Sequence, residues 1–93
     1  MSASNNESEQ IIEIPLDRVR VDANQPRKVF DEQKLRELAS SMAKDGLIEP
    51  IIVYRVPNEE FLFEIEEGER RFRAAALLNW QSIRCIVIEK KKE

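Results

Sequence analysis

A chain of 93 residues, 42% hydrophobic and 35% charged, supports one small globular domain with a modest core. A formal net charge of -3 gives no Lys/Arg surplus to drive non-specific nucleic-acid binding, so any DNA contact needs a local basic patch or additional domains. The single cysteine, Cys85, excludes an internal disulfide, and the lack of histidine excludes Cys/His zinc sites and His-based acid–base catalysis.

Residues 1–10 are rich in Ser, Asn and Glu, lack the apolar centre of a signal peptide, and read as a disordered polar tail. No apolar run approaches membrane-spanning length, which points to a cytoplasmic, reducing location and no membrane partner. Ile11-Ile12-Glu13-Ile14 is a short β-type run stopped by Pro15. Leu16, Val19 and Val21 then alternate loosely with polar residues, which predicts a turn and a second extended piece. Asp22-Ala23-Asn24-Gln25-Pro26 reads as a loop, with Pro26 biasing Gln25 towards extended backbone.

Asp31 is a suitable helix N-cap, and Glu32 favours the dipole in the first turn. Leu35, Leu38, Ala39 and Met42 recur at helical spacing, Lys34, Arg36, Glu37 and Lys44 fall mostly on other faces, and Gly46 supplies the stop. Pro50 opens an apolar strand from Ile51 to Val56. Pro57-Asn58-Glu59-Glu60 is turn chemistry, and Phe61 to Ile65 returns as the second strand of a hairpin. Glu66-Glu67-Gly68 breaks that strand, and a helix runs from about Glu69 to Leu78. Its second half, Ala74 to Leu78, carries no charge and is expected to be packed on most faces. Ile83 to Ile88 forms the last strand, with Arg84 and Cys85 interrupting its apolar set, before a charged end at 90–93. The folded part, 11–89, is a compact mixed α/β (α+β) domain of order β–β–α–β–β–α–β.

Glu66-Glu67-Gly68-Glu69-Arg70-Arg71-Phe72-Arg73 is the segment richest in chemistry. Glycine at a strand-to-helix junction lets a ligand approach the backbone closely. The first N–H groups of a helix lack intrahelical partners, and the dipole there favours an anion. Arg70 and Arg71 add planar forks suited to phosphate oxygens, and Glu69 offers a carboxylate to a magnesium ion or a water. The competing reading is a plain helix start, its arginines paired with Glu64, Glu66 and Glu67.

Gln25-Pro26-Arg27-Lys28, an amphipathic helix, Gly46-Leu47-Ile48-Glu49-Pro50-Ile51-Ile52-Val53, and Gly68-Glu69-Arg70-Arg71-Phe72-Arg73-Ala74-Ala75 follow one another in this order. From about Ile11 to Ile88, this pattern resembles the N-terminal domain of the ParB family. The resemblance implies a ParB/sulfiredoxin-like fold, a small mixed sheet with two main helices. It also implies that CTP is held with Mg2+ and that nucleotide binding closes a DNA-encircling dimer, in DNA partition or a related plasmid or chromosome function. Carried over by residue, Gly68, Glu69, Arg70 and Arg71 would hold the phosphates, with Glu69 the candidate for the metal ion and for catalysis in a slow CTPase. Gln25, Pro26 and Arg27 would line the pocket, and Gly46, Leu47, Glu49 and Pro50 would form the wall nearer the base.

Each residue also has a simpler use: Arg27 and Lys28 as solvated charges, Gly46 as a C-cap, Leu47 and Ile51 to Val53 as core, Pro50 as a strand start. Three features depart from the family pattern. Glu66 and Glu67 stand where small or apolar residues are common in the family. The chain carries no helix-turn-helix, dimerisation segment or further nucleotide motif. Residues 1–10 contain no Lys or Arg with which to stimulate a partner ATPase. Two other readings remain open: a small kinase-like enzyme on the same fold, with Glu69 or Glu49 as base, and a non-catalytic protein- or DNA-binding adaptor. A sulfiredoxin-type reaction needs a cysteine beside the phosphate loop, and this sequence has none there.

Overall fold

The computed structural model describes residues 10–21, 30–46, 49–59 and 62–89. Among them lie β1 (Gln10–Pro15), a 3-10 turn (Leu16–Arg18), β2 (Val19–Arg20), α1 (Glu32–Asp45), β3 (Ile51–Arg55), β4 (Phe63–Glu67), α2 (Glu69–Leu77) and β5 (Ser82–Ile88). The strands form one mixed sheet in the order β1-β5-β3-β4-β2. β1 runs antiparallel to β5 and β4 antiparallel to β3, whereas β5 pairs with β3, and β2 with β4, in parallel. The two-helix, mixed-sheet architecture expected from the sequence is the one observed. Residues 1–9 and 90–93 of the expected tail and charged end, and the loop and turn positions 22–29, 47–48 and 60–61, lie outside the described residues.

Local chemistry sets the helix bounds. Asp31 Oδ1 accepts from the backbone N–H groups of Gln33 (3.0 Å) and Lys34 (3.2 Å), satisfying two donors that α1 leaves unpaired. Gly46 ends the helix at φ +78° and returns its N–H to the Met42 carbonyl at 2.7 Å. Hydrophobic alternation sets the sheet faces. Ile14, Val19, Ile51, Val53, Phe63, Ile65, Ile83 and Cys85 join Ala39 and Met42 of α1 and Ala74 and Ala75 of α2 in one buried cluster. Alanines at the helix contact let the backbones approach closely, and Ala74 and Ala75 are both 0% exposed. On the other face, Tyr54 stands opposite Glu64 and Glu64 opposite Arg20, making a polar row across three strands. Glu64 accepts from the Tyr54 hydroxyl and from Arg20 Nε, the latter at 2.9 Å.

Four expectations are corrected. β4 continues through Glu66 and Glu67 instead of breaking before them, because a register shift opposite Ile52 and Val53 accommodates one extra residue and Glu67 pairs with Ile52. β4 starts at Phe63, so Leu62 belongs to the turn, where its N–H reaches the Glu59 carbonyl. The second half of α2 is not covered on most faces: Ala76 is exposed and Leu77 is 54% exposed, because the sheet and α1 cover only the Ala74–Ala75 side. Cys85 does not interrupt the apolar set; it alternates with Ile83 on the inner face and is fully buried, while Arg84 between them is exposed. Among the described residues no helix is long and apolar enough to cross a membrane.

Candidate functional site

The junction between β4 and α2 is built on Gly68. Its φ of +108° lies where side chains are strained, and a Cβ there would stand 2.7 Å from Ile51 Cγ2 and 2.9 Å from Ile51 Cβ. The chain therefore turns into α2 in contact with the first residue of β3. No side chain caps α2, whose nine residues present their opening N–H groups and the positive end of the dipole. This geometry suits an anion and leaves the backbone open to it.

The arginines of the first turn divide by environment. Arg70 is exposed and has no hydrogen bond or ion pair among the described residues. The Arg71 side chain is 25% exposed, and its Nη1 donates to the carbonyls of Pro50 (2.9 Å) and Glu49 (3.1 Å) and lies 3.8 Å from Glu49 Oε1. Thus Gly68 and Arg71 both meet the segment Glu49-Pro50-Ile51, which lies some twenty positions earlier in the chain. Neither arginine pairs with Glu64, Glu66 or Glu67 among the described residues, so the plain ion-pair reading of this helix start does not hold there. Glu64 is engaged by Arg20 and Tyr54, and Glu67 stands opposite Ile52, on the sheet face away from the helices.

Glu69 is partnered. Its side chain is 14% exposed, and its Oε2 accepts from Arg73 Nε at 3.0 Å and Nη2 at 2.8 Å. Oε1 has no partner among the described residues. Those residues contain no group of three or more His, Cys, Asp or Glu side chains able to hold a metal ion. A magnesium ion at Glu69 therefore needs oxygen ligands from a bound phosphate, the usual arrangement for this hard cation. Arg73 also lies over the Phe30 ring, 4.7 Å from its centroid. Neither Arg73 nor Phe30 is among the sequence-derived candidates, although the i,i+4 spacing of Glu69 and Arg73 signals their pairing.

Gln25, Pro26, Arg27 and Leu47 lie outside the described residues. Gly46 lines an open cleft of about 540 Å3 with Glu13, Asp45, Trp80, Gln81, Ser82, Ile83 and Arg84, which none of Gly68, Glu69, Arg70 and Arg71 lines. Cys85 offers no nucleophile. Burial, with the Glu13 charge adding to it, pushes its thiol up to about 12, so the thiolate that thiol chemistry needs is not formed at neutral pH.

A family model for the ParB N-terminal domain matches residues 1–93. A nucleoid occlusion protein of Bacillus cereus (strain AH187) is 43% identical over 79 residues, covering 85% of this chain and 27% of the relative. The chain thus spans about a quarter of the length of the curated relatives it matches. Among solved structures, C-terminally truncated chromosome-partitioning protein ParB from Caulobacter crescentus, complexed with CTP-γ-S, superposes with a TM-score of 0.81 at 30% identity. That alignment covers 89% of this chain and 46% of the other. Sulfiredoxin from Arabidopsis thaliana superposes with a TM-score of 0.74 at 29% identity over 88% of each chain.

Proposed function

Because the chain belongs to the ParB family, as its N-terminal domain, we propose that it is a CTP-binding switch module acting in chromosome or plasmid partition, or in nucleoid occlusion. The observation that carries this reading is the meeting of Gly68 and Arg71 with Glu49-Pro50-Ile51 beside the open N-terminus of α2. It joins two of the sequence motifs into one wall and leaves Arg70 facing solvent next to them. The family relationship to a protein crystallised with CTP-γ-S supplies the nucleotide class.

In this reading the α2 N–H groups and the Arg70 guanidinium bind the triphosphate, where charge-assisted hydrogen bonds are about twice as strong as neutral ones. Arg71 holds the carbonyls of Glu49 and Pro50, which would fix the wall nearer the base; Gly46 and Leu47 would belong to that wall only by the family motif. Gln25, Pro26 and Arg27 would contact the nucleotide, as the family motif implies. Glu69 would hold a magnesium ion bound together with the phosphates, and such an ion would offset their charge against the acidic chain. Slow hydrolysis of CTP would use the same carboxylate to position water. Nucleotide occupancy promotes self-association, DNA recognition draws on additional domains or a local patch, and the setting is the cytoplasm.

Calorimetric titration of the chain with CTP, ATP and GTP in the presence of Mg2+ tests the proposal. Saturable binding selective for CTP and abolished by Arg71→Ala is expected. Binding of no nucleotide would return the adaptor reading, and ATP-dependent phosphoryl transfer would return the kinase-like one.

A further inference from the structure

Arg73 touches two parts of the molecule that are far apart in sequence. Its Nε and Nη2 hold Glu69 Oε2 at 3.0 and 2.8 Å, while the guanidinium lies 4.7 Å from the Phe30 centroid. Phe30 immediately precedes Asp31, the cap of α1, and follows the 22–29 segment. A guanidinium is rigid and planar, so its hydrogen bonds and its stacking face are set together. A rotation that follows Glu69 therefore changes the contact with Phe30. Glu69 is only 14% exposed and needs a cationic partner, whereas Arg73, at 44%, keeps an edge in solvent and has room to turn.

We propose that Arg73 is a positioning residue that couples the Glu69 carboxylate to Phe30, and through it phosphate-site occupancy to the chain entering α1. The proposal rests on the reading of Gly68–Arg71 as the phosphate site. With Phe30 in place, Arg73 engages Oε2 of Glu69, which would leave Oε1 for a cation bound with the phosphates. A shift of Glu69 on phosphate-site occupancy would turn Arg73 on the Phe30 ring. Coupling of this kind is reciprocal: a change at Phe30 alters affinity at the phosphates by the same factor as occupancy alters the Phe30 contact.

A double-mutant cycle in which CTP·Mg2+ affinity is titrated on the chain tests this. Phe30→Leu keeps apolar bulk but removes the ring face, and at the strength of a largely exposed cation–π contact it should weaken binding about twofold to fivefold. Arg73→Lys keeps the charge but loses the fork to Glu69, and it should weaken binding as well. The double variant should bind no more weakly than Arg73→Lys alone, and Phe30→Trp should restore wild-type affinity because indole offers a better ring face. Additive losses, or a Phe30→Leu chain that binds like wild type, would overturn the coupling while leaving the phosphate site intact. Failure of Phe30→Trp to restore binding would also overturn it, by assigning Phe30 a packing role only. A wild-type chain that binds no CTP·Mg2+ would refute the phosphate site itself, and the coupling with it.

Discussion

Replacement of Gly68 by alanine tests the packing on which the site is built. The added Cβ would lie 2.7, 2.9 and 3.3 Å from Cγ2, Cβ and Cα of Ile51. Ile51 is 0% exposed at the centre of the buried cluster, so it cannot swing aside, and relief requires movement of the β3 backbone. Overpacking of this kind costs about 1–3 kcal/mol. Backbone strain from a side chain at φ +108° adds about 1–3 kcal/mol. The narrower unfolded ensemble of alanine returns less than about 1 kcal/mol. A net loss of about 3 kcal/mol is expected, which for a domain of this size lowers Tm by roughly 15 °C. Urea unfolding followed by the fluorescence of Trp80, which packs on the core, measures it. Gly46→Ala is the internal control, since it meets nothing within 4 Å and bears only backbone strain at φ +78°. Gly68→Ala should be the more damaging by about 2 kcal/mol. Equal losses at the two positions, or a loss under about 1 kcal/mol at Gly68, would refute the claim that the junction is seated on Ile51.

Asp31→Ala removes the acceptor for two N–H groups of α1 and should cost about 1 kcal/mol, with most of it recovered in Asp31→Ser, as thermal melting will read. Tyr54→Phe removes a hydroxyl from Glu64 but leaves Arg20 in place, so a loss of about 1 kcal/mol in urea unfolding is expected; a larger loss would mean that Arg20 does not hold Glu64 alone. Cys85 should resist alkylation in the native chain at pH 8 and react only on unfolding. Its folded pKa of about 12 lies above the ordinary value of 9.0, so the unfolded thiol ionises first. Stability should therefore fall as pH rises from about 9 towards 12, by at most about 1.4 kcal/mol per pH unit from this group, and Cys85→Ala should flatten that part of the profile.

The parts of the fold legible in the sequence are those governed by near neighbours. Asp31 and Gly46 bound α1 because a cap and a left-handed stop are local chemistry, and the spacing of Leu35, Leu38, Ala39 and Met42 assigns its buried side. The turn after Arg55 reverses the chain through local bonds, including Glu59 N–H to the Val56 carbonyl. Glu66 and Glu67 mislead because acidic residues disfavour strands, while their place in β4 comes from the bulged pairing with β3, in which Glu67 stands opposite Ile52, fifteen positions earlier. Cys85 would have been legible from strict alternation with Ile83. The exposure of Leu77 depends on how far α1 extends across α2, which no window around Leu77 records. At the site, the start of α2 after a glycine turn is readable from Gly68 and the residues that follow it. The Arg71 contacts with Glu49 and Pro50 are set by the tertiary fold, and only the shared order of the motifs pointed towards them.

The most direct test of the central claim is a titration of 15N-labelled chain with CTP·Mg2+, followed by backbone amide shifts. Saturable shifts concentrated at Gly68, Glu69, Arg70 and Arg71 and at Glu49 and Ile51 are expected, and they should vanish in Arg70→Ala. No shifts with CTP·Mg2+, or shifts confined to the separate cleft around Trp80 and Arg84, would contradict it.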